Sequence, residues 1–545
     1  MAHKLSILSL VILFALVVYS AIGIPLIEPD AAIYAEIARE MFHGQTYEIT
    51  YKGEDWLDKP HLPFWLSALA YVIFDVSLLG YKLPAILASL LGIFYTYKFA
   101  AKYYDKQVAI LAIGVLISAE HFLLSLHDVR AEPFLMGFMA MAFYHLINYF
   151  EQARLRDFWL SAFAAGLMMM TKGLFVLIPL FSAIFASIIL YKTYRRLFEV
   201  RWYLWIIAVL IFTSPVIIAY YLQFDSQPLK QIDLREWGIQ QNVSGIKFFF
   251  WDSQFGRFFN TGPIQGEGDF SFYFHTLLWA FWPWGILIYF AVAQLIYRLI
   301  KRQPVQEVYT LFAILPMFLI FSLSSFQLPH YLNILFPFFA IITASYLINF
   351  FKLKRWIQLT HMIYFWLAAA LLLTIPIVFS GFKFSVVGYL LLAAIFVTFI
   401  AQFFYLKQRP LIMFIGVSLT VNLIINLEFY PRLMDYQVAT TAARFIKQDP
   451  QLTPLPISSY GVSARAIEFN LDRLEQPVNN CQQSPMLVLV NEKRLNKFTT
   501  ICPNYQQLAE FPDYPVSMMT PKFVIPSSRH QTIDNILLMK TLPTP

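Results

Sequence analysis

Apolar segments long enough to cross a lipid bilayer recur along most of this chain and restrict its fold more than any other feature. An α-helix needs about 20 apolar residues to cross the ~30 Å hydrocarbon core of a membrane. Thirteen segments meet this requirement, at about 4–26, 83–100, 107–126, 131–150, 157–171, 174–191, 203–222, 273–298, 307–324, 332–351, 357–379, 386–406 and 410–428. We therefore predict an all-α polytopic membrane protein with about 13 transmembrane helices.

Composition supports this class. Of 545 residues, 59% are hydrophobic and only 13% are charged, whereas about a quarter of the residues in a soluble domain are charged. The first apolar segment resembles the core of a signal peptide, but it continues to Leu26 without a clear cleavage site, so we predict a retained first span. The net charge of +7 is not gathered into a basic stripe, which argues against a nucleic-acid partner.

The distribution of Lys and Arg predicts the orientation. A further apolar segment, 61–80, either crosses the membrane or lies on its surface. If it lies on the surface, most Lys and Arg residues of the short loops fall on one side, as expected for the cytoplasmic side. We therefore place 61–80 at the outer interface and the N-terminus in the cytoplasm. Four regions then face outward: 27–82, 127–130, 223–272 and the tail from 429.

The tail differs from the rest of the chain. It is polar and rich in proline, with short strand-like runs such as "PMLVLV" and "PKFVIP". We predict two domains, a transmembrane domain over 1–428 and a small α/β periplasmic domain over 429–545. Cys481 and Cys502 both lie in this tail, where they form either a disulfide or two unpaired thiols.

Polar residues are concentrated at the outer face. Within the spans, ionisable residues are few; Glu120 and His121 lie near the end of one span and His145 in another. Transport of ions or protons usually requires such residues at mid-bilayer. The outer face instead carries "EPDAAIYAE", "DWLDKPHLPFW", "LHDVRAEP", "MTKG", "WDSQFGRFF" and "FQLPHYLNILFP". This distribution favours chemistry at the outer surface over transport.

"IEPDAAIYAEIARE" has the pattern of an amphipathic helix that begins near Asp30 and ends at Gly44. Asp30 is either a helix N-cap or a carboxylate that acts as a general base or charge stabiliser. Asp128 lies in a short outer turn, where it forms a surface ion pair with Arg130 or serves the same site.

Two cations on the outer side have the properties of phosphate ligands. Lys59 precedes the apolar segment 61–80, and Arg257 is flanked by Phe255, Phe258 and Phe259. Each is either a phosphate ligand or a residue of the membrane interface, by snorkelling or cation–π contact. Asp58 and Asp252 could together form an oxygen site for a divalent metal ion. Tyr331, next to His330, is either a head-group contact or an interfacial aromatic residue.

In this order and spacing, the motifs resemble the GT-C membrane glycosyltransferases of the protein mannosyltransferase superfamily, and most closely the lipid A aminoarabinose transferases. The resemblance covers about 5–430 and rests on "EPDAAIYAEIAREM", "DKPHLPFW", "YKLPAILASLLG", "LLSLHDVRAEPFLM", "AGLMMMTKGLFVLIP", "RFF", "FWPW" and "LPHYLNILFP". It implies a GT-C fold, with interfacial helices in the first periplasmic loop and a periplasmic C-terminal domain.

The resemblance also implies roles for individual residues. Asp30 and Asp128 correspond to the catalytic carboxylates of the family, and Lys59, Arg257 and Tyr331 to its ligands for the lipid phosphate. Three positions depart from the family pattern. Asp58 stands where the family has Glu, Asp252 where a histidine can complete a metal site, and Gln327 where the "KxPxY" motif has Lys. A divalent metal ion is the only cofactor that the resemblance suggests.

The expected function is inverting transfer of a monosaccharide, such as 4-amino-4-deoxy-L-arabinose, from undecaprenyl phosphate at the periplasmic face of a bacterial inner membrane. The expected acceptor is lipid A or another envelope glycolipid, with membrane lipids around the site. A protein acceptor, as in protein O-glycosyltransferases, is the alternative within this class. A lipid or solute transporter is the alternative from another class.

Overall fold

The computed structural model describes residues 2–226, 232–234, 238–240, 243–261, 265–349, 385–393, 410–482 and 484–542. Within these residues, most of the chain is helical. The helices are α1 Ala2–Ile22, α2 Asp30–Gly44, α3 Leu62–Phe74, α4 Leu78–Tyr103, α5 Lys106–Ile117, α6 Glu120–Leu124, α7 Glu132–Gln152, α8 Leu155–Lys172, α9 Ile178–Leu190, α10 Val200–Tyr220, α11 Gly245–Lys247, α12 Phe272–Ala280, α13 Gly285–Ile300, α14 Tyr309–Leu323, α15 Phe336–Ile348, α16 Pro410–Ile424, α17 Tyr430–Leu433, α18 Val438–Gln448, α19 Ile467–Leu471, α20 Leu495–Ile501, α21 Pro521–Val524 and α22 Pro526–Arg529.

Short 3-10 and π-helical segments lie between these helices, and the described residues also form eight short strands. They are β1 Thr50–Tyr51, β2 Glu54–Asp55, β3 Ile232–Leu234, β4 Gly238–Gln240, β5 Ile457–Tyr460, β6 Leu487–Asn491, β7 Tyr505–Asp513 and β8 Asp534–Thr541. The first four form two small antiparallel hairpins in outer loops, and the last four form one sheet in the tail.

Among the described residues, four helical stretches are long and apolar enough to cross a membrane by themselves: Leu78–Tyr103, Val200–Asp225, Pro329–Ile348 and Phe414–Tyr436. The pair α12 and α13, which bends by 117°, is a fifth candidate. Other predicted spans coincide with shorter apolar helices, such as α5 and α14. The predicted span at 357–379 and most of that at 386–406 lie outside the described residues. The count of 13 spans therefore stays a prediction.

The predicted first outer loop contains helix α2, where the sequence indicates it, and a short hairpin that was not predicted. Helix α2 ends at Gly44, and Gln45 takes the left-handed conformation that closes the helix, with φ of 48°. A tight hairpin follows, in which Lys52 and Gly53 both have positive φ, as a two-residue turn requires. Helix α3 then packs on α2, where Tyr71 Oη donates to the Ala35 carbonyl at 3.4 Å. The segment 61–80 thus begins with a helix lying against α2, while its placement at the membrane interface stays a prediction.

Helices α4 and α7 cross in close contact and support the outer turn that carries Asp128. A Cβ on Gly137 would lie 2.0 Å from the Ala88 carbonyl oxygen, so the two backbones meet where only glycine fits. Lys82 of α4 is fully buried, and its ammonium donates to the carbonyls of Ala21 and Ile24 at the end of α1, at 2.9 and 2.5 Å. This cation satisfies carbonyls that α1 itself leaves unpaired.

The tail contains a four-stranded sheet in the order β5–β6–β8–β7. Strands β5 and β6 are parallel, and the remaining pairs are antiparallel. Cys481 and Cys502 form a disulfide beside an apolar cluster that includes Val488, Val490 and Phe498. The predicted α/β character of the tail and the disulfide alternative are therefore confirmed, while the boundary at 429 stays a prediction.

Candidate active site

A cavity of about 520 Å³ lies at the ends of the helices that the sequence predicts to face outward. Its walls come from the loop before α3, the junction of α8 and α9, the segment 253–259, the end of α14 and the segment 324–331. Three cations line it, Lys59, Lys172 and Arg257, whereas Asp58 is the only carboxylate among its described lining residues. Most of the remaining lining is aromatic or aliphatic. The cavity thus combines an excess of positive charge with apolar walls.

Asp58 organises two of these cations. Its carboxylate accepts a hydrogen bond from Lys59 Nζ at 2.8 Å and another, at short range, from Arg257 Nη2. Burial by itself would raise the pKa of Asp58, but the two cations lower that pKa below its ordinary value, so the carboxyl is ionised. The Arg257 guanidinium also lies 5.5 Å from the centre of the Phe326 ring. Lys59 and Arg257, the two predicted phosphate ligands, therefore line the same cavity although they lie far apart in the sequence.

Tyr331 and Lys172 also line the cavity, and the Tyr331 hydroxyl lies within hydrogen-bonding reach of Arg257. Lys172 ends α8, and its ammonium lies 3.8 Å from the centre of the Tyr331 ring, where it also forms a short ion pair with Glu132. Gln254 donates to the Lys172 carbonyl at 3.1 Å and so fixes the end of α8 beside the segment that carries Arg257. Tyr331 therefore lies where the sequence places it, in contact with the cationic site.

Sequence reasoning did not select Lys172 or Glu132 as site residues. The sequence does contain a signal for them, because Lys172 and Glu132 belong to "MTKG" and "LHDVRAEP", two polar stretches at the predicted outer face. Each residue, however, lies at a helix end, where lysine and glutamate are common for reasons of the helix dipole. Their proximity became visible only in the folded chain.

A second polar cluster holds the two predicted catalytic carboxylates. Arg130 Nη1 donates to Asp30 Oδ2 at 2.7 Å, and Arg130 Nη2 lies 3.0 Å from Asp128 Oδ2. Asp30 is 38% exposed in its side chain, whereas Asp128 is mostly buried and its Oδ1 has no hydrogen-bond partner in the described structure. Burial raises the pKa of Asp128 although the neighbouring Arg130 lowers it. The N-cap alternative for Asp30 is not what forms, because Ile33 N–H donates to the Pro29 carbonyl at 3.1 Å.

Glu132 connects the cluster to the cavity. Its carboxylate pairs with Lys172 on the cavity side, and the same charge helps to raise the pKa of Arg130, whose largest favourable partner is Asp128. His330 Nε2 lies 3.8 Å from Glu132 Oε1. The cationic cavity and the two predicted catalytic carboxylates are thus neighbouring parts of one polar region.

Gln327 has a different environment from the other predicted donor ligands. Its amide donates to the carbonyls of Phe321 and Ser322 at 3.2 and 3.3 Å and accepts from Asp269 N–H at 2.9 Å. These bonds hold the segment before Tyr331 in place. The structure therefore gives Gln327 backbone partners, and a contact of this residue with the lipid phosphate stays a prediction.

The residues expected to bind a metal do not form a coordination shell. Asp58 is occupied by two cations, while Asp252 faces Lys247 at 3.8 Å. Within the described ranges, no group of three or more His, Cys, Asp or Glu side chains is placed to hold a metal ion. A divalent cation would also be repelled by Lys59 and Arg257. Asp58 and Asp252 therefore do not fit a metal site.

The cavity opens through an apolar rim. Four of its lining residues are exposed at the surface of the helices, Leu174, Phe181, Phe255 and Phe259, the last to 62%. Exposed aromatic and aliphatic side chains are stable on a surface that faces lipid. A lipid can therefore place its polar head among the cations while its hydrocarbon tail leaves through this rim.

Comparisons with known proteins show what this chain resembles. Residues 58–219 match the family model described as dolichyl-phosphate-mannose-protein mannosyltransferase. An uncharacterized protein of Aquifex aeolicus is 26% identical over 372 residues, which cover 67% of this chain and 68% of that protein. The undecaprenyl phosphate-alpha-4-amino-4-deoxy-L-arabinose arabinosyl transferase 1 of Pseudomonas fluorescens is 25% identical over 56% of this chain, and the match spans about half of that transferase, 51%.

The solved structures show the fold. ArnT from Cupriavidus metallidurans, crystallised with undecaprenyl phosphate, aligns over 100% of both chains with a TM-score of 0.72 at 18% identity. The same protein in its apo state aligns with a TM-score of 0.71 at 16% identity. In sequence and in fold, the chain therefore resembles the lipid A aminoarabinose transferases, and its architecture is the predicted GT-C fold with a small sheet in the C-terminal tail.

Proposed function

We propose that this protein is a glycosyltransferase that moves a monosaccharide from undecaprenyl phosphate to lipid A or another envelope glycolipid. The observation that carries the proposal is the convergence of Lys59, Lys172 and Arg257 on one cavity that opens through an apolar rim. Such a cavity suits a lipid phosphate, because the cations bind the phosphate oxygens and the rim accepts the prenyl chain. The named relatives make 4-amino-4-deoxy-L-arabinose the first sugar to test.

The three cations would act mainly on the leaving group. During transfer, the bond between the anomeric carbon and the donor phosphate oxygen breaks, and its electron pair leaves with the phosphate. The acceptor oxygen bonds to the same carbon from the opposite face, which inverts its configuration. Negative charge therefore grows on the phosphate in the transition state, and preorganised cations stabilise that charge more than they stabilise the bound donor.

Asp30 and Asp128 would serve the other side of the reaction. Arg130 fixes both carboxylates, and Asp30 remains partly exposed. With a hydroxyl acceptor, Asp30 takes the proton that the acceptor loses. With a phosphate acceptor no base is needed, and the negative charge of Asp30 stabilises the positive character that develops on the sugar. Both roles require Asp30 to be held in a defined position.

We place this reaction at the periplasmic face of a bacterial inner membrane. Two observations support that orientation. Most Lys and Arg residues of the short loops belong to loops predicted to lie on the side opposite the site. The tail on the side of the site carries the Cys481–Cys502 disulfide, and structural disulfides persist in the periplasm but are rare in the cytoplasm. The N-terminus would then be cytoplasmic.

A protein acceptor is the second candidate, and the family model is the observation that favours it. Its description names a protein mannosyltransferase, and its match begins at Asp58 and includes Lys59 and Asp128. The donor half of the mechanism is the same for both acceptors. The two candidates therefore differ in what occupies the space beside Asp30 and the tail.

A transfer assay with purified protein tests the proposal. The protein is supplied with undecaprenyl-phosphate aminoarabinose and either lipid A or a mixture of periplasmic proteins, and the products are analysed by mass spectrometry. We expect sugar on lipid A, and less than about 1% of that turnover for Asp30→Asn, since loss of a catalytic group commonly costs about 100-fold or more. Full turnover by Asp30→Asn would contradict the site. Consumption of donor with sugar on protein alone would select the second candidate.

A further inference from the structure

The segment Leu26–Glu28, which Pro29 separates from Asp30, is attached to the tail domain rather than only to the transmembrane helices. Leu26 and Ile27 are buried and Glu28 is partly buried, although they lie where the first predicted span passes into the first predicted outer loop. Their partners come from the residues that follow 425, about 400 positions later in the chain. The tail therefore contacts the chain immediately before the carboxylate that the proposed reaction uses.

The side chain of Gln437 holds this segment as a neighbouring strand would. Its Oε1 accepts the Glu28 N–H at 3.1 Å, and its Nε2 donates to the Leu26 carbonyl at 2.9 Å. One primary amide thus binds a donor and an acceptor two residues apart, which is the pattern of a backbone ladder. Gln437 is itself 2% exposed, and Nε2 is further fixed by Thr440 Oγ1 at 2.9 Å.

Glu28 and Ile27 add two more attachments. Glu28 Oε1 accepts the Ala466 N–H of the tail at 2.8 Å. Ile27 lies in an apolar cluster with side chains of the last span and of the tail. The members of that cluster include Phe429, Leu433, Met434, Tyr514, Val516 and Phe523. The segment is therefore held through its backbone, a polar side chain and an apolar side chain.

On the other side of this segment, the carboxylate of Asp30 is fixed by Arg130, as described above. The ring of Pro29 fixes its φ, but rotation about its Cα–C bond would be enough to move Asp30 away from Arg130 and the cavity. The attachments at Leu26, Ile27 and Glu28 remove that freedom. Restricting a catalytic group in this way is worth a large factor in rate, because a displacement of about 1 Å can cost about 100-fold.

We propose that Gln437 and Glu28 are positioning residues, through which docking of the tail domain sets the position of Asp30. This inference rests on the proposed role of Asp30. It assigns the tail a part in the transfer step itself, beyond any part in binding the acceptor. Burial raises the pKa of Glu28 to about 8, and the charge of Asp513 adds to the rise. The hydrogen bond from Ala466 and the charges of Arg465 and Lys52 lower this pKa but do not cancel the effect of burial. Glu28 therefore acts as a neutral acceptor in this arrangement.

The test compares kcat with donor binding in the full-length protein. Glu28→Ala and Gln437→Leu remove the attachments, while Glu28→Gln retains an acceptor of the same size. Asp472→Asn is the matched control, because it breaks the contacts of the tail with Arg39 and His43 at 3.4 and 2.8 Å in the same domain interface but away from Asp30. The readouts are kcat for sugar transfer, the Kd for undecaprenyl phosphate, and deuterium exchange of the amides at 30–36.

We expect kcat to fall about 10-fold or more in Glu28→Ala and Gln437→Leu, with the Kd for undecaprenyl phosphate within about twofold of wild type. Glu28→Gln and Asp472→Asn should retain kcat within about threefold. Amides at 30–36 should exchange faster in the first two variants, while those around Lys59 should not change. This exchange readout does not depend on turnover.

Several outcomes would overturn the inference. One is wild-type kcat and exchange in Glu28→Ala and Gln437→Leu while Asp30→Asn is inactive. Others are an equal loss of kcat in Asp472→Asn, or loss of undecaprenyl phosphate binding in the two variants, since either shows a general effect on the fold. If wild type itself transfers no sugar, the proposed function fails. Unchanged exchange at 30–36 would then also reject the positioning role, whereas faster exchange would support it.

Discussion

Arg130 Nη1 donates to Asp30 Oδ2 at 2.7 Å, although the two residues are separated by 100 positions in the sequence. The same guanidinium contacts Asp128, so one cation orients both carboxylates of the site. Arg130→Met should therefore lower kcat by about 100-fold, because both acids lose their orientation. The Kd for undecaprenyl phosphate should stay within about twofold, since Arg130 does not line the cavity. Both constants are measured on the protein in nanodiscs.

Arg130→Lys refines this prediction. A lysine keeps the charge but cannot bind two carboxylates with the geometry of a guanidinium, so we expect an intermediate kcat, about 10-fold below wild type. Arg444→Met, which removes an exposed ion pair of the tail with Asp435, is the control and should retain full activity. Equal kcat for wild type and Arg130→Met would exclude the role of this arginine.

Lys172 should contribute to donor binding as strongly as the two cations found from the sequence. Lys172→Met removes a buried charge of the cavity and leaves Glu132 without its partner, so we expect the Kd for undecaprenyl phosphate to rise about 10-fold or more. The measurement is binding of radiolabelled undecaprenyl phosphate. Lys247→Met is the matched control, because Lys247 is 68% exposed in its side chain and faces Asp252 outside the cavity lining. A Kd raised equally by both variants would show a non-specific effect of charge.

Transfer should not depend on a divalent metal ion. Asp58 is neutralised by two cations, and Asp252 faces a lysine rather than a second acid. We therefore expect turnover within about twofold of untreated protein after EDTA treatment and dialysis, and the same for Asp252→Asn. The assay is the transfer reaction with and without added Mg²⁺ or Mn²⁺. A loss of turnover that Mg²⁺ restores would indicate a site beyond the described residues.

The tail should dock more tightly at acidic than at alkaline pH. Glu468 is 1% exposed, its Oε2 has no hydrogen-bond partner in the described structure, and burial raises its pKa to about 7, with Glu36 adding to the rise. A carboxyl whose pKa rises on folding contributes stability that is complete below its unfolded pKa, near 4.5, and is lost as pH rises through about 7. Apparent Tm should therefore fall by about 5 °C between pH 5 and pH 8.

Glu468→Gln identifies the group responsible. The amide does not titrate, so the variant should lose a smaller part of its apparent Tm over the same pH range. Scanning fluorimetry of the purified protein gives both curves. Glu510→Gln, on strand β7, serves as a control, because the Glu510 side chain is exposed. If the apparent Tm of Glu468→Gln changed with pH as much as that of wild type, the effect would come from other carboxyls, of which Glu28 is the next candidate.

The disulfide should stabilise the tail. Cys481 and Cys502 are 21 positions apart, and closing a loop of that length is worth about 3 kcal/mol of unfolding free energy. The double variant Cys481→Ser, Cys502→Ser should therefore make the tail more sensitive to limited proteolysis, while residues of the transmembrane helices stay protected. Wild type should show no reaction with a thiol probe until it is reduced. Labelling of unreduced wild type would exclude the bond.

Most of the helical architecture followed from the sequence because membrane helices are specified by length and apolarity, which are local properties. Helix α2 and its end at Gly44 also followed from local periodicity. The positions of Lys59, Arg257 and Tyr331 in one cavity followed from the resemblance, since neither spacing nor periodicity brings together residues so far apart in the chain.

Contacts between distant segments account for what the sequence did not predict. Lys172 and Glu132 each have an ordinary explanation at a helix end, and only their ion pair reveals a site. The N-cap alternative for Asp30 rests on the N–H groups of its own helix. In the structure the carboxylate instead accepts a hydrogen bond from Arg130, which lies in the turn before α7. Glu28 carried no local signal, since its partners Gln437 and Ala466 belong to the tail.

The apolar rim at Phe181, Phe255 and Phe259 determines which concentration governs the occupancy of the cavity. For a ligand that enters from water, occupancy of the cavity depends on the ligand's concentration in solution. A prenyl lipid that enters from the side of the helices is instead confined to one leaflet of the membrane. Occupancy of this cavity would then follow the mole fraction of donor among the lipids of one leaflet. Diluting cells or protein would leave turnover unchanged, whereas adding inert lipid to the same membrane would lower it.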